Sequence, residues 1–540
     1  MNGRRRVAVV TGAAGGIGAA IAEELGRAGW FVVTVDPMVS VDGASRLPEP
    51  PEPTAARIEA AGGSARPSSA SVTDPEALDA LFGQLAAEHG GIDAVINAAG
   101  ITRQTGFARG SAEDWLALLE VHLGGYLNVL RAALPLMAEA GGGHVVGVTS
   151  GSGWRAADAG AYACAKRAVA ALTWQLGPCA PPGVRVNALS PIAATRMIAA
   201  ALSRAAPTSG AASRGGLSLQ AMPDPAELGP LGAALAGDGF GWCNGQIVFA
   251  NGSEVALVER PRLLEAVRTA GVASPAALLE SVVPSSFAAA EAAQASTGAA
   301  NPRFARLFSE PAPPPGPGRA RSCAIVSDRP DVARVLASAL EARSVACRSI
   351  APPGGFDGAA RALGAAEDRS GPLDSVIVAL AGPRPSGAGG WQGVLDEHRG
   401  AVEGVHADAA WARAAADHAT SRGRELRLVT VADAATSGGR SRAQAAAQLA
   451  RAAAGATGGR VAAFSVAMES ATERCAQAAA DLAAHLACHP DGAALGGAEL
   501  VAGDGWVGVR SHPRPYAGVV YGGPEVPTWL DGVLREAAGT

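Results

Sequence analysis

Residues 6–36, RVAVVTGAAGGIGAAIAEELGRAGWFVVTVD, decide how this chain folds. Val7–Val10 is a short apolar run, and Thr11 leads directly into a glycine-rich turn that opens a helical stretch. Glu23 and Glu24 interrupt the apolar residues of that stretch, so the basic opening reads as the start of a strand and not as a secretory signal. A second strand, WFVVTVD, closes on Asp36. Strand, glycine turn, helix and strand in that order form a unit suited to a dinucleotide. Gly12, Gly16 and Gly18 permit the tight turn and let backbone approach a pyrophosphate, which rests on the helix N-terminus. A carboxylate at the end of the second strand hydrogen-bonds the adenine ribose hydroxyls and repels a 2′-phosphate. With no arginine in the glycine loop or just after Asp36, NAD(H) is expected ahead of NADP(H).

Working outward, GIDAVINAAG (91–100) is a buried strand closing on Asn97, and Ser111 is placed to cap a helix running on toward Met137. GGHVVGVTSGSG is a strand ending in hydroxyls, AYACAKRAVAALTWQLG is a helix, and GVRVNALSP is a further strand. Strands alternating with helices at this spacing give an α/β fold with a doubly wound parallel sheet. At 540 residues the chain exceeds one core, so at least two domains are expected. A net charge of −5 argues against nucleic acid or an anionic membrane surface as partner, and no long uncharged apolar run suggests a membrane span. Seven scattered cysteines without CxxC spacing fit a reducing, cytoplasmic setting. The stretch HLACH (485–489) lacks a further ligand cluster and reads as packing, so no metal is expected.

Lys166 is the only lysine among 44 basic residues, and it stands four after Tyr162, one of four tyrosines. On a helix that spacing puts both on one face. A phenol with pKa near ~10 is a poor base at neutral pH, and a nearby ammonium stabilises the phenolate. Arginine cannot replace lysine as a compact point charge. Tyr162 can then exchange a proton with an alcohol or a carbonyl as general acid/base.

TGAAGGIG, Asp36, NAAG, Ser150, YxxxK and VNALSP, in this order and spacing, resemble the short-chain dehydrogenase/reductase family over about residues 5–258. The stretches VHLGG and PIAATRM look most like its hydroxyacyl-CoA dehydrogenase branch. The resemblance implies catalytic roles for Ser150, Tyr162 and Lys166, with His122 where the family usually has an asparagine. It implies cofactor contacts from Gly12, Ala14, Gly16, Ile17, Gly18, Asp36, Ser71, Val72, Asn97, Ala98, Gly100, Tyr162, Lys166, Pro191, Ile192 and Thr195. Ser152 is the alternative to Ser150, because the step to Tyr162 is one residue shorter than the family's usual spacing. His122 is read either as a neutral hydrogen-bonding group or as packing. Asn97 and Asn187 are read chiefly as ties between strand ends. The branch implies a secondary alcohol on a 3-hydroxyacyl, polyketide or steroid-like substrate, and residues 196–226 are where the family places a mobile substrate lid. The rival readings are an NADPH-dependent ketoreductase of a biosynthetic pathway and a non-catalytic cofactor-binding scaffold.

PAPPPGPGRA (311–320) is a proline- and glycine-rich break, after which the same order of elements returns. Asn97 to Tyr162 and Ala379 to Gln444 are both 65 apart, and Trp115–His122 matches Trp391–His398. The glycine turn has become SDRPDVA, and the counterpart of YxxxK is read as Gln444 and Gln448. The expected organisation is a catalytic NAD-binding domain 1–258, a helical and proline-rich linker 259–320, a degenerate copy 321–512 and a tail 513–540: two Rossmann-like doubly wound domains in tandem. The two halves are expected to pair as an intrachain pseudo-dimer through their helices, with a further homodimer left open and a small molecule as the substrate.

Overall fold

A computed structural model of the chain describes residues 4–204, 222–297 and 318–539. Its two sheets are both mixed and mostly parallel. In chain order the strands of the first half are β1 (Val7–Thr11), β2 (Phe31–Val35), β3 (Ser64–Ser68), β4 (Ala94–Asn97), β5 (Gly143–Val148), β6 (Val184–Ile192), β7 (Ile247–Asn251), β8 (Glu254–Glu259) and β9 (Leu263–Arg268). Those of the second are β10 (Ser322–Ser327), β11 (Ala346–Ile350), β12 (Ser375–Ala379), β13 (Leu426–Asp433), β14 (Val461–Met468), β15 (Glu499–Gly503), β16 (Trp506–Arg510) and β17 (Arg514–Val520). The first sheet runs β17-β8-β7-β6-β5-β4-β1-β2-β3 and the second β11-β10-β12-β13-β14-β15-β16-β9. Both are doubly wound, as expected. The order reverses direction beside β1 in one sheet and beside β10 in the other, and among the described residues the second sheet has no counterpart of β3.

The correspondence extends to single bonds. The Asp93 carboxylate before β4 accepts from the amide of Val7 (2.7 Å), and Asp374 before β12 accepts from Arg321 and Ser322 (2.8 and 3.1 Å). Thr11 pairs with Asn97 in the register of the first sheet, as Ser327 pairs with Ala379 in the second.

Two segments read as linker and tail instead complete sheets, each on the opposite half. β9 leaves β8 and pairs antiparallel with β16, while β17 leaves β16 and pairs antiparallel with β8. The two connections meet where the Ser511 amide donates to the Arg262 carbonyl (2.8 Å) and the Arg262 amide donates to the Ser511 hydroxyl (3.0 Å). An outer strand with unpaired backbone groups is a pairing hazard, and here each half covers the other's. After β17, the helix Trp529–Ala538 buries Leu530 and Leu534 in the first half's core beside Tyr516 and Val519. The break at 311–320 lies almost wholly outside the described residues.

The helix bearing Tyr162 (Gly160–Leu176) packs along Ser437–Thr457, and both helices are rich in buried alanine. Here the register read along the chain needs correcting. Gln444 and Gln448 do not face the strand ends of their own sheet, as Tyr162 and Lys166 do. They point across the interface to Arg167 and to the backbone of Ser152 and Arg155. The residue that packs with Ala432, Ala434 and Ala467 at those strand ends is Ala443. Counting along the chain fixes such a helix to within a turn, but the preceding loop sets which face looks inward, and that loop differs between the halves. Among the described residues no helix is long and apolar enough to cross a membrane.

Candidate active site

The C-terminal ends of β1, β2, β4, β5 and β6 border a cavity of about 590 Å³ in the first half. That is the crevice outside the strand ends where the order reverses, the usual ligand position in an open α/β sheet. Its first wall is the glycine turn. Gly12 has φ +68°, and a Cβ there would lie 2.7 Å from the backbone of Ala98 and Ala99; a Cβ on Gly18 would lie 2.4 Å from the Gly12 carbonyl oxygen. Side chains at either position would push the turn off β4 or the helix off β1. The helix Gly16–Arg27 starts at Gly15 with no side chain capping its first amides, which leaves those donors for an anion. An uncapped N-terminus over a cradle that only glycine fits suits a dinucleotide pyrophosphate.

Asp36 directly follows β2 and lines the cavity; its carboxylate accepts from the amides of Ala14 (3.1 Å) and Met38 (2.8 Å). Gly12, Gly16, Ile17, Gly18, Asp36, Ser71, Val72, Ala98, Gly100, Pro191, Ile192 and Thr195 all line the same cavity. Two expected cofactor residues do not. Ala14 turns to an adjoining pocket of about 410 Å³ that also contains Asp36 and Arg46. Asn97 is buried, its side-chain oxygen accepting from the Thr11 hydroxyl (2.8 Å), so it ties β4 to β1. Asn187 likewise donates to the Cys243 carbonyl (2.8 Å) and accepts from the Gln246 amide (3.0 Å). The Asn128 side chain donates to the Val72 carbonyl (3.0 Å) and fixes that wall. Of the expected lid, the helix Arg196–Arg204 and Met222 are described, and Arg196, Met197, Ile198 and Met222 line the cavity; residues 205–221 lie outside the described residues.

Ser150, Tyr162, Lys166 and His122 meet at the other end. Ser150 adjoins the Tyr162 phenol and favours its charged form. Thr149 is turned away, its hydroxyl donating to the Lys166 carbonyl (2.6 Å). Lys166 Nζ sits 5.7 Å from the centre of the Tyr162 ring and donates to the Val148 carbonyl (2.6 Å). Burial pulls the Lys166 ammonium down to about 7. Burial also raises the Tyr162 phenol, against which the Ser150 hydrogen bond and the charge of Arg155 act downward. The sequence pointed to Lys166 as the tuning cation. In the structure that lysine's charge is itself weakened by burial, and a second cation, Arg155, stands by the phenol.

His122 lies in a π-helical turn, Glu120–Gly124, a distortion that recurs at functional sites. Its Nε2 donates to the Ile101 carbonyl (2.8 Å), which leaves Nδ1 as a buried lone pair without a partner among the described residues. Burial, and then Lys166, hold its pKa at about 3, so the ring is neutral. It stands edge-on to Tyr162 with ring centres 5.0 Å apart.

Four cavity-lining arginines went unmarked in the sequence: Arg46, Arg103, Arg155 and Arg196. Arg155 had a signal, since it lies on the twelve-residue step between Ser150 and Tyr162, where any long side chain can reach the cleft. Arg46 had none, because only the fold returns it to Asp36.

Comparison with known proteins finds relatives of the first half. The short chain dehydrogenase family model matches residues 6–205. The chain is 36% identical over 194 residues to the short-chain reductase protein NovJ of Streptomyces niveus, spanning 36% of this chain and 71% of that one. It is 34% identical over 193 residues to a D-threitol dehydrogenase of Mycolicibacterium smegmatis, spanning 34% and 69%. A crystal structure of a short chain dehydrogenase from Mycobacterium avium is 28% identical, with a TM-score of 0.43, and covers 52% of this chain and 93% of its own. The second half has no assigned family. By its first half the chain belongs to the short-chain dehydrogenase family, oxidoreductases of the secondary alcohol and ketone type that use NAD(P).

Proposed function

We propose that the first half interconverts a secondary alcohol and a ketone with NAD(H), Tyr162 serving as general acid/base. The observation that carries this is the meeting of Ser150, Tyr162 and Lys166 in the cavity that also holds the glycine turn. When bound, NAD(H) supplies or accepts the hydride; Gly12, Gly16 and Gly18 would hold its pyrophosphate and Asp36 its ribose. Ser150 orients the substrate oxygen and favours the charged form of the Tyr162 phenol beside it. Tyr162 takes the hydroxyl proton in oxidation and returns it in reduction. Arg155 and Ser150 act against the burial that raises the phenol, and Lys166 stands 5.7 Å from the centre of its ring. His122, neutral and fixed on Ile101, supports the Tyr162 ring.

One observation favours a second reading. Arg46 lines the pocket next to Asp36, where a guanidinium suits a 2′-phosphate, so an NADPH-dependent ketoreductase is the alternative. The second half we read as a degenerate, catalytically silent copy that serves as an intrachain partner in a cytoplasmic protein. Its interface supports this: Arg167 is fully buried and donates to Gln444 (3.0 Å), Gln448 (3.2 Å) and Glu499 (2.5 Å). A panel of secondary alcohols with NAD and with NADP, followed by nicotinamide absorbance, tests the reading. Turnover with NAD supports it, turnover with NADP alone selects the alternative, and no turnover with either sinks both.

A further inference from the structure

We propose that the second half of the chain sets the orientation of the Ser150 hydroxyl: Gln448 grips the turn after Ser150 from across the interface and acts on the serine through Ser152. The proposal rests on the dehydrogenase reading for what the serine does, and it gives the degenerate half a part in that reaction.

Ser150 stands just before a single 3-10 turn, Gly151–Gly153, and that turn is bonded back onto it. The Ser150 side-chain oxygen accepts from the Ser152 amide (3.2 Å), and the Ser150 carbonyl accepts from the Gly153 amide (2.9 Å). A hydroxyl oxygen that holds an amide on one lone pair keeps its own hydrogen and its other lone pair for a substrate oxygen. Where those two point therefore depends on where Ser152 sits. The turn also lies against the helix that carries Tyr162, because a Cβ on Gly153 would come 3.0 Å from the backbone nitrogen of Arg167, one residue after Lys166.

A turn of two glycines and a serine has much backbone freedom to lose, and a side chain from the other half restrains it. Gln448 is 1% exposed, and its side-chain nitrogen donates to the carbonyls of Ser152 (3.0 Å) and Arg155 (2.6 Å). Its oxygen accepts from Arg167 (3.2 Å), which also donates to Gln444 and Glu499. Reversing the amide would set its oxygen against two carbonyls and its nitrogen against a guanidinium, so one orientation alone satisfies the three contacts. The contacts then run from Arg167 to Gln448, from Gln448 to Ser152, and from Ser152 to the Ser150 oxygen. Gln448 touches none of the reacting groups in this scheme; it is a positioning residue that works through the turn.

The test uses full-length protein and two variants. Gln448→Glu keeps the shape and an acceptor for Arg167, but its carboxylate has no N–H for the two carbonyls; Gln448→Met removes both functions. Amide hydrogen exchange, read by mass spectrometry, should quicken roughly tenfold over residues 151–155 in each variant and stay unchanged over the glycine turn 12–18. With the fastest secondary alcohol of the panel, kcat should fall roughly tenfold to hundredfold, as for a displaced reacting group, while NADH affinity by tryptophan fluorescence is kept. In a Ser150→Ala background there is no hydroxyl to orient, so either Gln448 change should lower kcat by less than about twofold further. A side chain that only supported the fold would cost the same factor in both backgrounds. Exchange or kcat unchanged in both variants, equal factors with and without the Ser150 hydroxyl, or loss of NADH binding in both variants overturns the proposal. The dehydrogenase reading fails separately: absence of turnover with every alcohol sinks it, while exchange over 151–155 still reports whether Gln448 holds the turn.

Discussion

Lys166 and Tyr162 share a cleft, but burial moves both, and the directions have consequences. Folding lowers the Lys166 pKa to about 7. Between that value and the unfolded lysine's pKa of about 10.4, the unfolded chain binds a proton that the folded chain does not, so stability rises with pH. Relative to Lys166→Met, the cofactor-free protein should therefore gain on the order of 1 kcal/mol per pH unit from pH ~7.5 to ~9.5. Urea unfolding at several pH values measures this, and parallel curves for the two proteins would refute it. His122, held neutral by a pKa of about 3, should add no inflection to the pH profile of turnover above pH ~5. His122→Asn should alter the rate and leave the profile's shape alone; loss of an inflection near neutrality in that variant would show a titrating ring. The pairing of Tyr162 with Lys166 was legible because spacing on a helix fixes a shared face. Arg155 was not, because a loop has no such period.

The helices Gly160–Leu176 and Ser437–Thr457 meet around charges that leave water together. Arg167 and Glu499 are 0% and 3% exposed at their side chains. Burial weakens the charged form of each, and the other opposes it. Removing one member of such a pair strands the other, at a cost of about 3–5 kcal/mol. Arg167→Met should thus lower unfolding stability by that amount, and the double variant with Glu499→Leu should recover much of it; a single variant as stable as the parent would mean the pair is solvated. In the glycine turn, Gly12→Ala should abolish nucleotide binding, because its Cβ has no room beside Ala98. Titration of tryptophan fluorescence with NADH reads that out, and unchanged quenching would refute it. The strands, the glycine turn and the capping of the helix at Ser111, which accepts from the Asp114 amide (3.1 Å), could all be read along the chain. The inward face of Ser437–Thr457 could not, since spacing gives distance along a helix axis without its rotation.

Strand exchange ties each half to the other's sheet. β17 covers the edge of β8, and the helix after it fills the first half's core while Asp531 accepts from the Trp242 indole (2.7 Å). Deleting residues 513–540, or expressing 1–258 alone, should yield aggregating or inactive protein; a soluble fragment with full activity would show that the exchange is dispensable. Local sequence revealed two α/β sheets in tandem, because each carries its own strand and helix pattern. It could not reveal that β9 and β17 change places, since an edge strand's pattern names no partner. All of this scaffolding presents one phenol to one cleft, so the most direct measurement compares Tyr162→Phe with the parent for alcohol-dependent reduction of NAD, alongside NADH binding by fluorescence. Loss of the general acid/base should lower kcat by at least about 10²- to 10⁴-fold with nucleotide affinity kept. Turnover undiminished in Tyr162→Phe would contradict the account.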